Sequence, residues 1–97
     1  MKRIITAAES KHMAKIAAMG CIICELVLKE YGTPAQVHHV KTRPGWGRSS
    51  HFATIPLCFE HHQGNLGFHM IGRTRFKFIY GYSELELLDI VTERLAA

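Results

Sequence analysis

The stretch Ser50-His51-Phe52-Ala53-Thr54-Ile55-Pro56-Leu57-Cys58-Phe59-Glu60-His61-His62-Gln63-Gly64 changes character in its middle. Phe52 to Cys58 is a short, nearly continuous apolar run of strand length, and Pro56 confines it to a sheet edge or a bulge. After Cys58 the apolar run gives way to polar residues, and Phe59-Glu60-His61-His62 reads as a helix opening. Upstream, Gln36 to Val40 reads as a partner strand, with Lys41 to Ser50 a loop punctuated by Pro44, Gly45 and Gly47. A hairpin followed by a helix is therefore the expected centre of the chain.

Helices flank this centre. Thr6-Ala7-Ala8-Glu9 is a capping box opening a helix with Met13, Ile16 and Ala17 on one face and Gly20 as its stop. A second helical stretch, Cys24 to Tyr31, is closed by Gly32-Thr33-Pro34. Downstream, a Gly-broken stretch runs from Gly64 to Gly72, and Arg73 to Tyr80 reads as a helix before Gly81. Ser83-Glu84-Leu85-Glu86 is a second capping box, and Leu85, Leu87, Leu88, Val91 and Leu95 form an apolar stripe behind it. Glu84, Glu86 and Asp89 near its start and Arg94 near its end suit the helix dipole. The class is α+β in one domain, 1–97, with a core over about 20–72 and flanking helices over about 6–19 and 83–96.

A chain of 97 residues has room for one hydrophobic core, and 47% hydrophobic residues are enough to build it, which excludes a disordered tail. The longest apolar stretch, Ile16 to Cys24, has nine residues, whereas a membrane span needs about 18. The apolar run near the start stops after five residues at Glu9, too short for a secretory signal. Three cysteines cannot all pair, so a reducing, cytoplasmic setting is expected, in which clustered thiols hold metal. The net charge of +4 is concentrated: from Tyr31 to Ser83 six basic residues face one acid, Glu60. Such a segment suits an anion or a nucleic acid, the alternative being a solvated basic face.

The chemistry starts with Cys21-Ile22-Ile23-Cys24 and Cys58-Phe59-Glu60-His61. Each pair has the two-residue gap that lets both side chains reach one ion, and together they make a Cys3His set for tetrahedral zinc. Seven histidines exceed what that site uses. His38 and His39, adjacent on a strand, point to opposite sides, which suggests that one ligates a second ion while the other accepts a proton from water. His62 is fixed by its neighbour His61, and His69, in a Gly-rich loop, can fold back to the same ion.

The order of C-x-x-C, His-His on a strand, a second strand and C-x-x-His-His resembles the HNH, or ββα-metal, nuclease superfamily. Residues 9 to 95, with GCIIC, VHHV, the Gly-Trp-Gly loop, SHFATIPLCFEHHQG and GFH, resemble the phage recombination-enhancement function (Ref) family of RecA-dependent nucleases. The resemblance implies a zinc-stabilised fold with His38 a ligand of the catalytic ion, His39 the general base and His62 a second ligand. The family's further ligand position falls on Leu66, which cannot ligate, so His69 is the substitute. The Asn that braces the family's interstrand loop falls on Ala53, leaving His51 or a backbone group to brace it.

Phosphodiester hydrolysis needs an activated water and stabilisation of charge on the phosphorus oxygens and the departing oxygen. His39 would take the proton, and one ion on His38, His62 and His69 would meet the charge. Two-metal sites lean on carboxylates, and from Tyr31 to Ser83 Glu60 is the single one. Imidazole ligands admit Mg²⁺ or Mn²⁺ for turnover, with Zn²⁺ an alternative occupant. Arg43, Arg48, Arg73 and Arg75 are candidate phosphate contacts, and Trp46 either stacks on an unpaired base or packs on the hairpin. The expected function is a metal-dependent DNA endonuclease. The resemblance implies cutting of single-stranded or D-loop DNA where a RecA filament has paired a strand, in phage or prophage recombination within the bacterial host. The competing class is a non-catalytic zinc module that binds DNA or protein; it needs four ligands and no base, and leaves His38, His39, His62 and His69 without work.

Overall fold

The computed structural model describes residues 4–41 and 50–97. Helix α1 spans Ala7–Ala18. Its cap is reciprocal: the Glu9 amide donates to Thr6 Oγ1 at 3.1 Å and the Thr6 amide to Glu9 Oε1 at 2.9 Å, so two of the end's orphan donors are satisfied. Ile16 is its fully buried residue, with Met13 and Ala17 half-buried beside it.

The helix expected over Cys24 to Tyr31 is shorter and wider than a regular one. Cys24–Leu28 is π-helical and ends at Lys29, whose backbone is left-handed at φ 59°. Single π-turns occur at functional sites, and this one follows the turn in which the Cys24 amide points at Cys21 Sγ, 3.4 Å away. The Cys21 amide donates to Thr33 O at 2.9 Å, tying that turn to the approach of the first strand.

Strands β1 (Gln36–His39) and β2 (Thr54–Leu57) form an antiparallel pair in which Gln36 faces Leu57, Val37 faces Pro56, His38 faces Ile55 and His39 faces Thr54. The Val40 amide bonds Ala53 O at 2.8 Å. Bonded and non-bonded pairs alternate from there, which puts Pro56 at a position that owes the ladder no hydrogen bond. That is how a proline enters this strand. Strand alternation sends His38 inward, 2% exposed, and leaves His39 exposed.

Helix α2 is the single turn Phe59–His62. The chain then crosses it so closely that a Cβ on Gly67 would lie 2.7 Å from the His62 carbonyl carbon. Only glycine permits that approach, and it brings the start of α3 (Phe68–Tyr80) against His62. The segment expected as a Gly-broken loop up to Gly72 is therefore corrected in its second half: Phe68 already opens a helix, and Gly72, with φ 82° and ψ 170°, kinks it instead of preventing it.

Helix α4 (Glu84–Ala96) carries the second reciprocal cap, Glu86 N to Ser83 Oγ at 3.1 Å and Ser83 N to Glu86 Oε1 at 3.0 Å. Its buried stripe is Leu87 and Val91, with Leu88 and Ile90 partly buried against the core. Leu85 and Leu95, expected in that stripe, face outward at 52% and 37% exposure. Ile16, Ile22, Ile23, Val40, Ile55, Leu57 and Phe76 complete a core shared by helices and hairpin. No helix is long and apolar enough to cross a membrane among the described residues.

Candidate functional site

Cys21, Cys24, Cys58 and His61 converge. Cys24 Sγ lies 3.8 Å from Cys58 Sγ, and His61 Nδ1 lies 3.6 Å from Cys21 Sγ, 3.6 Å from Cys24 Sγ and 3.1 Å from Cys58 Sγ. A tetrahedron with metal–sulfur legs of about 2.3 Å has edges of about 3.8 Å, so the four atoms already stand near the corners a zinc ion requires. The thiols are free and buried, and burial pushes Cys21 up to about 12 and Cys24 upward as well. Burial also lowers His61 and keeps its imidazole neutral. Sulfurs that resist ionisation without a cation, packed at metal-ligand spacing beside a neutral imidazole, fit an ion better than a plain apolar core.

A second group stands beside it. One nitrogen each from His38, His62 and His69 lies within 4.8 Å of the others. The remaining nitrogens are occupied in a definite way. His38 Nε2 pairs with Glu84 Oε2 at 2.8 Å, and His38 Nδ1 is buried with no hydrogen-bond partner among the described residues. His62 Nδ1 pairs with Gln36 Oε1 at 2.8 Å, the same oxygen that accepts from Gln63 Nε2 at 3.2 Å. Its Nε2 faces His69 Nε2 at 3.0 Å. With the outer nitrogens donating to Glu84 and Gln36, the inner ones present lone pairs, the arrangement by which histidine ligands are fixed around a metal. Burial first, then the neighbouring His38 and His69, lower His62 to about 4; burial and His38 lower His69 too. The shifts of His62 and His69 favour their neutral rings, the state that ligates.

A group of three imidazoles could hold an ion and still leave coordination positions for water or phosphate. Phe68, its ring centre 4.6 Å from that of His38, forms an apolar wall, whereas His69 is exposed. The orphaned His38 nitrogen is the observation that most directly favours an ion, because a buried unpaired acceptor is costly.

His39 lies on the other face of β1, and its Nε2 pairs with His51 Nδ1 at 2.8 Å. His51 is thus a partner of the expected base. The turn before β2 is braced by Thr54 Oγ1 donating to His51 O at 3.2 Å and by the Ala53 amide donating to Ser50 O at 3.1 Å.

The structure brings Cys21, Cys24, Cys58 and His61 together, and separately His38, His62 and His69. His69 reaches its place from the first turn of α3, not from a loop. Arg73, read as a phosphate contact, binds Glu84 Oε1 through Nε at 3.2 Å, while Arg75 is exposed. Arg43, Trp46 and Arg48 lie outside the described residues. Sequence reasoning missed Glu84 and Gln36. Gln36 could have been found from its place two residues before His38, on the same strand face.

The family model described as "Recombination enhancement, RecA-dependent nuclease" matches residues 5–96. No curated protein matches the chain.

Proposed function

The chain belongs to the recombination-enhancement family of RecA-dependent nucleases, and from that premise we propose that it is a metal-dependent DNA endonuclease of HNH, or ββα-metal, type. The observation that carries the reading is the His38–His62–His69 cluster, with its orphaned inner nitrogen and its outer nitrogens pinned by Glu84 and Gln36. Cys21, Cys24, Cys58 and His61 would hold a structural zinc ion that fastens the scaffold. His38, His62 and His69 would hold a Mg²⁺ or Mn²⁺ ion, which when bound would supply neutralisation of charge on the phosphoryl oxygens and the departing 3′-oxygen.

The chain's own residues do the rest. His39 takes the proton of the attacking water, its ring oriented by the Nε2 bond to His51. Strand alternation sends adjacent His39 and His38 to opposite faces of β1, so the base and the ion's ligand are distinct groups on one strand. Arg75, Arg43 and Arg48 hold the DNA backbone without reading sequence. The substrate is DNA paired through a RecA filament, in phage or prophage recombination.

The test incubates plasmid and D-loop DNA with Mg²⁺ or Mn²⁺, with and without RecA filaments. Wild-type protein is expected to nick RecA-paired DNA, and His39→Ala to do so about 10²–10⁴-fold more slowly. Absence of nicking by pure wild-type protein, or equal cutting by His39→Ala, overturns the assignment.

A further inference from the structure

Glu84 is the first residue of α4 and is only 5% exposed, with both carboxylate oxygens engaged: Oε2 by His38 and Oε1 by Arg73. Capping does not explain this, because the reciprocal bond to Ser83 is made by Glu86. A buried carboxylate carries a heavy desolvation cost unless it is compensated. Here the start of α4 and the Arg73 guanidinium compensate one side, and His38 takes the other.

The three histidines bring no negative charge to a dication, and the one acid from Tyr31 to Ser83, Glu60, is exposed. A carboxylate on the far nitrogen of a ligating imidazole fixes the ring and raises its basicity. We propose that Glu84 is the positioning residue of the three-histidine centre: it holds His38 with Nδ1 turned to the ion, lends the ligand set its negative charge, and is itself anchored by Arg73. Arg73 thereby acts on the ion site and not as a simple phosphate contact. The inference rests on reading the three histidines as an ion site.

The experiment titrates Mn²⁺ into the full chain loaded with one equivalent of zinc, following bound Mn²⁺ by electron paramagnetic resonance. Long-range ¹H–¹⁵N spectra of the zinc-loaded chain report the His38 tautomer. Wild type is expected to bind one Mn²⁺ and to hold His38 protonated at Nε2. Glu84→Gln is expected to bind Mn²⁺ about 10–100-fold more weakly, and Glu84→Ala also to lose the single tautomer, with zinc retained in both. Arg73→Ala, at a side chain 65% exposed, gives a smaller loss in the same direction and serves if the Glu84 variants do not fold. Unchanged Mn²⁺ affinity in the folded variants overturns the proposal and leaves the ion site standing. No Mn²⁺ bound by wild type overturns both.

Discussion

His61 and His62 are neighbours in the chain and belong to different centres. Around His61 everything is closed: it and its three partners form two local pairs with a two-residue gap, and all four residues are buried. Around His62 the ligands come from β1, α2 and α3, one of them is exposed, and two have their outer nitrogens held by Gln36 and Glu84. Protein closes all four corners of a structural metal site, whereas a reactive one keeps a corner open and controls its ligands from behind. On the proposed reading, one turn of helix joins a fastening to a working site.

The largest effect is expected from breaking the closed centre. Structural zinc contributes about 10 kcal/mol to small domains, comparable with the whole stability of a chain this size. Cys58→Ser should therefore abolish cooperative melting and bound zinc together, as followed by circular dichroism and metal analysis. A variant that melts within a few degrees of wild type would show the four residues to be ordinary core.

Breaking the open centre should cost activity and leave the fold. His62→Ala is expected to lose Mn²⁺ binding and RecA-dependent nicking, to keep one zinc, and to lose about 1–3 kcal/mol of stability from the partners left behind. If it instead unfolds as Cys58→Ser does, the two centres form one structural unit and the division between them falls.

Legibility in the sequence follows the same division. The closed centre could be read because its geometry is local: Cys21 with Cys24 and Cys58 with His61 are three apart, and a turn does the rest. The two capping boxes were legible for the same reason, and the opposite orientations of His38 and His39 follow from strand period alone. The open centre needed tertiary facts. His69 meets His62 only because Gly67 lets two backbones approach within contact, which no helix or strand period announces. Glu84 lies 46 residues from His38, and its place in the first turn of a helix was already sufficient reason for an acid to be there. Leu85 and Leu95 misled because composition marks a stripe, whereas the angle at which α4 meets the hairpin decides which side of it is covered.

The smallest effect tests whether α4 serves the open centre alone. Ser83 caps the helix whose first residue is Glu84, and Ser83→Ala should cost about 1 kcal/mol of stability. Fraying at that end should loosen Glu84 and weaken Mn²⁺ binding while zinc stays in place, because none of the four closed-centre ligands lies on α4. The pH dependence has a definite sign. The Ser83 amide and hydroxyl hold the Glu86 carboxyl below its ordinary range. A carboxyl depressed by folding stabilises above its unfolded pKa of about 4.3 and ceases to do so as pH falls through the depressed value. Ser83→Ala keeps the amide and removes the hydroxyl, so the melting-temperature gap between it and wild type should be largest at neutral pH and narrow in acid only by the hydroxyl's share. A gap that widens in acid, or a Ser83→Ala variant that sheds zinc before Mn²⁺, would mean that α4 holds up the closed centre instead.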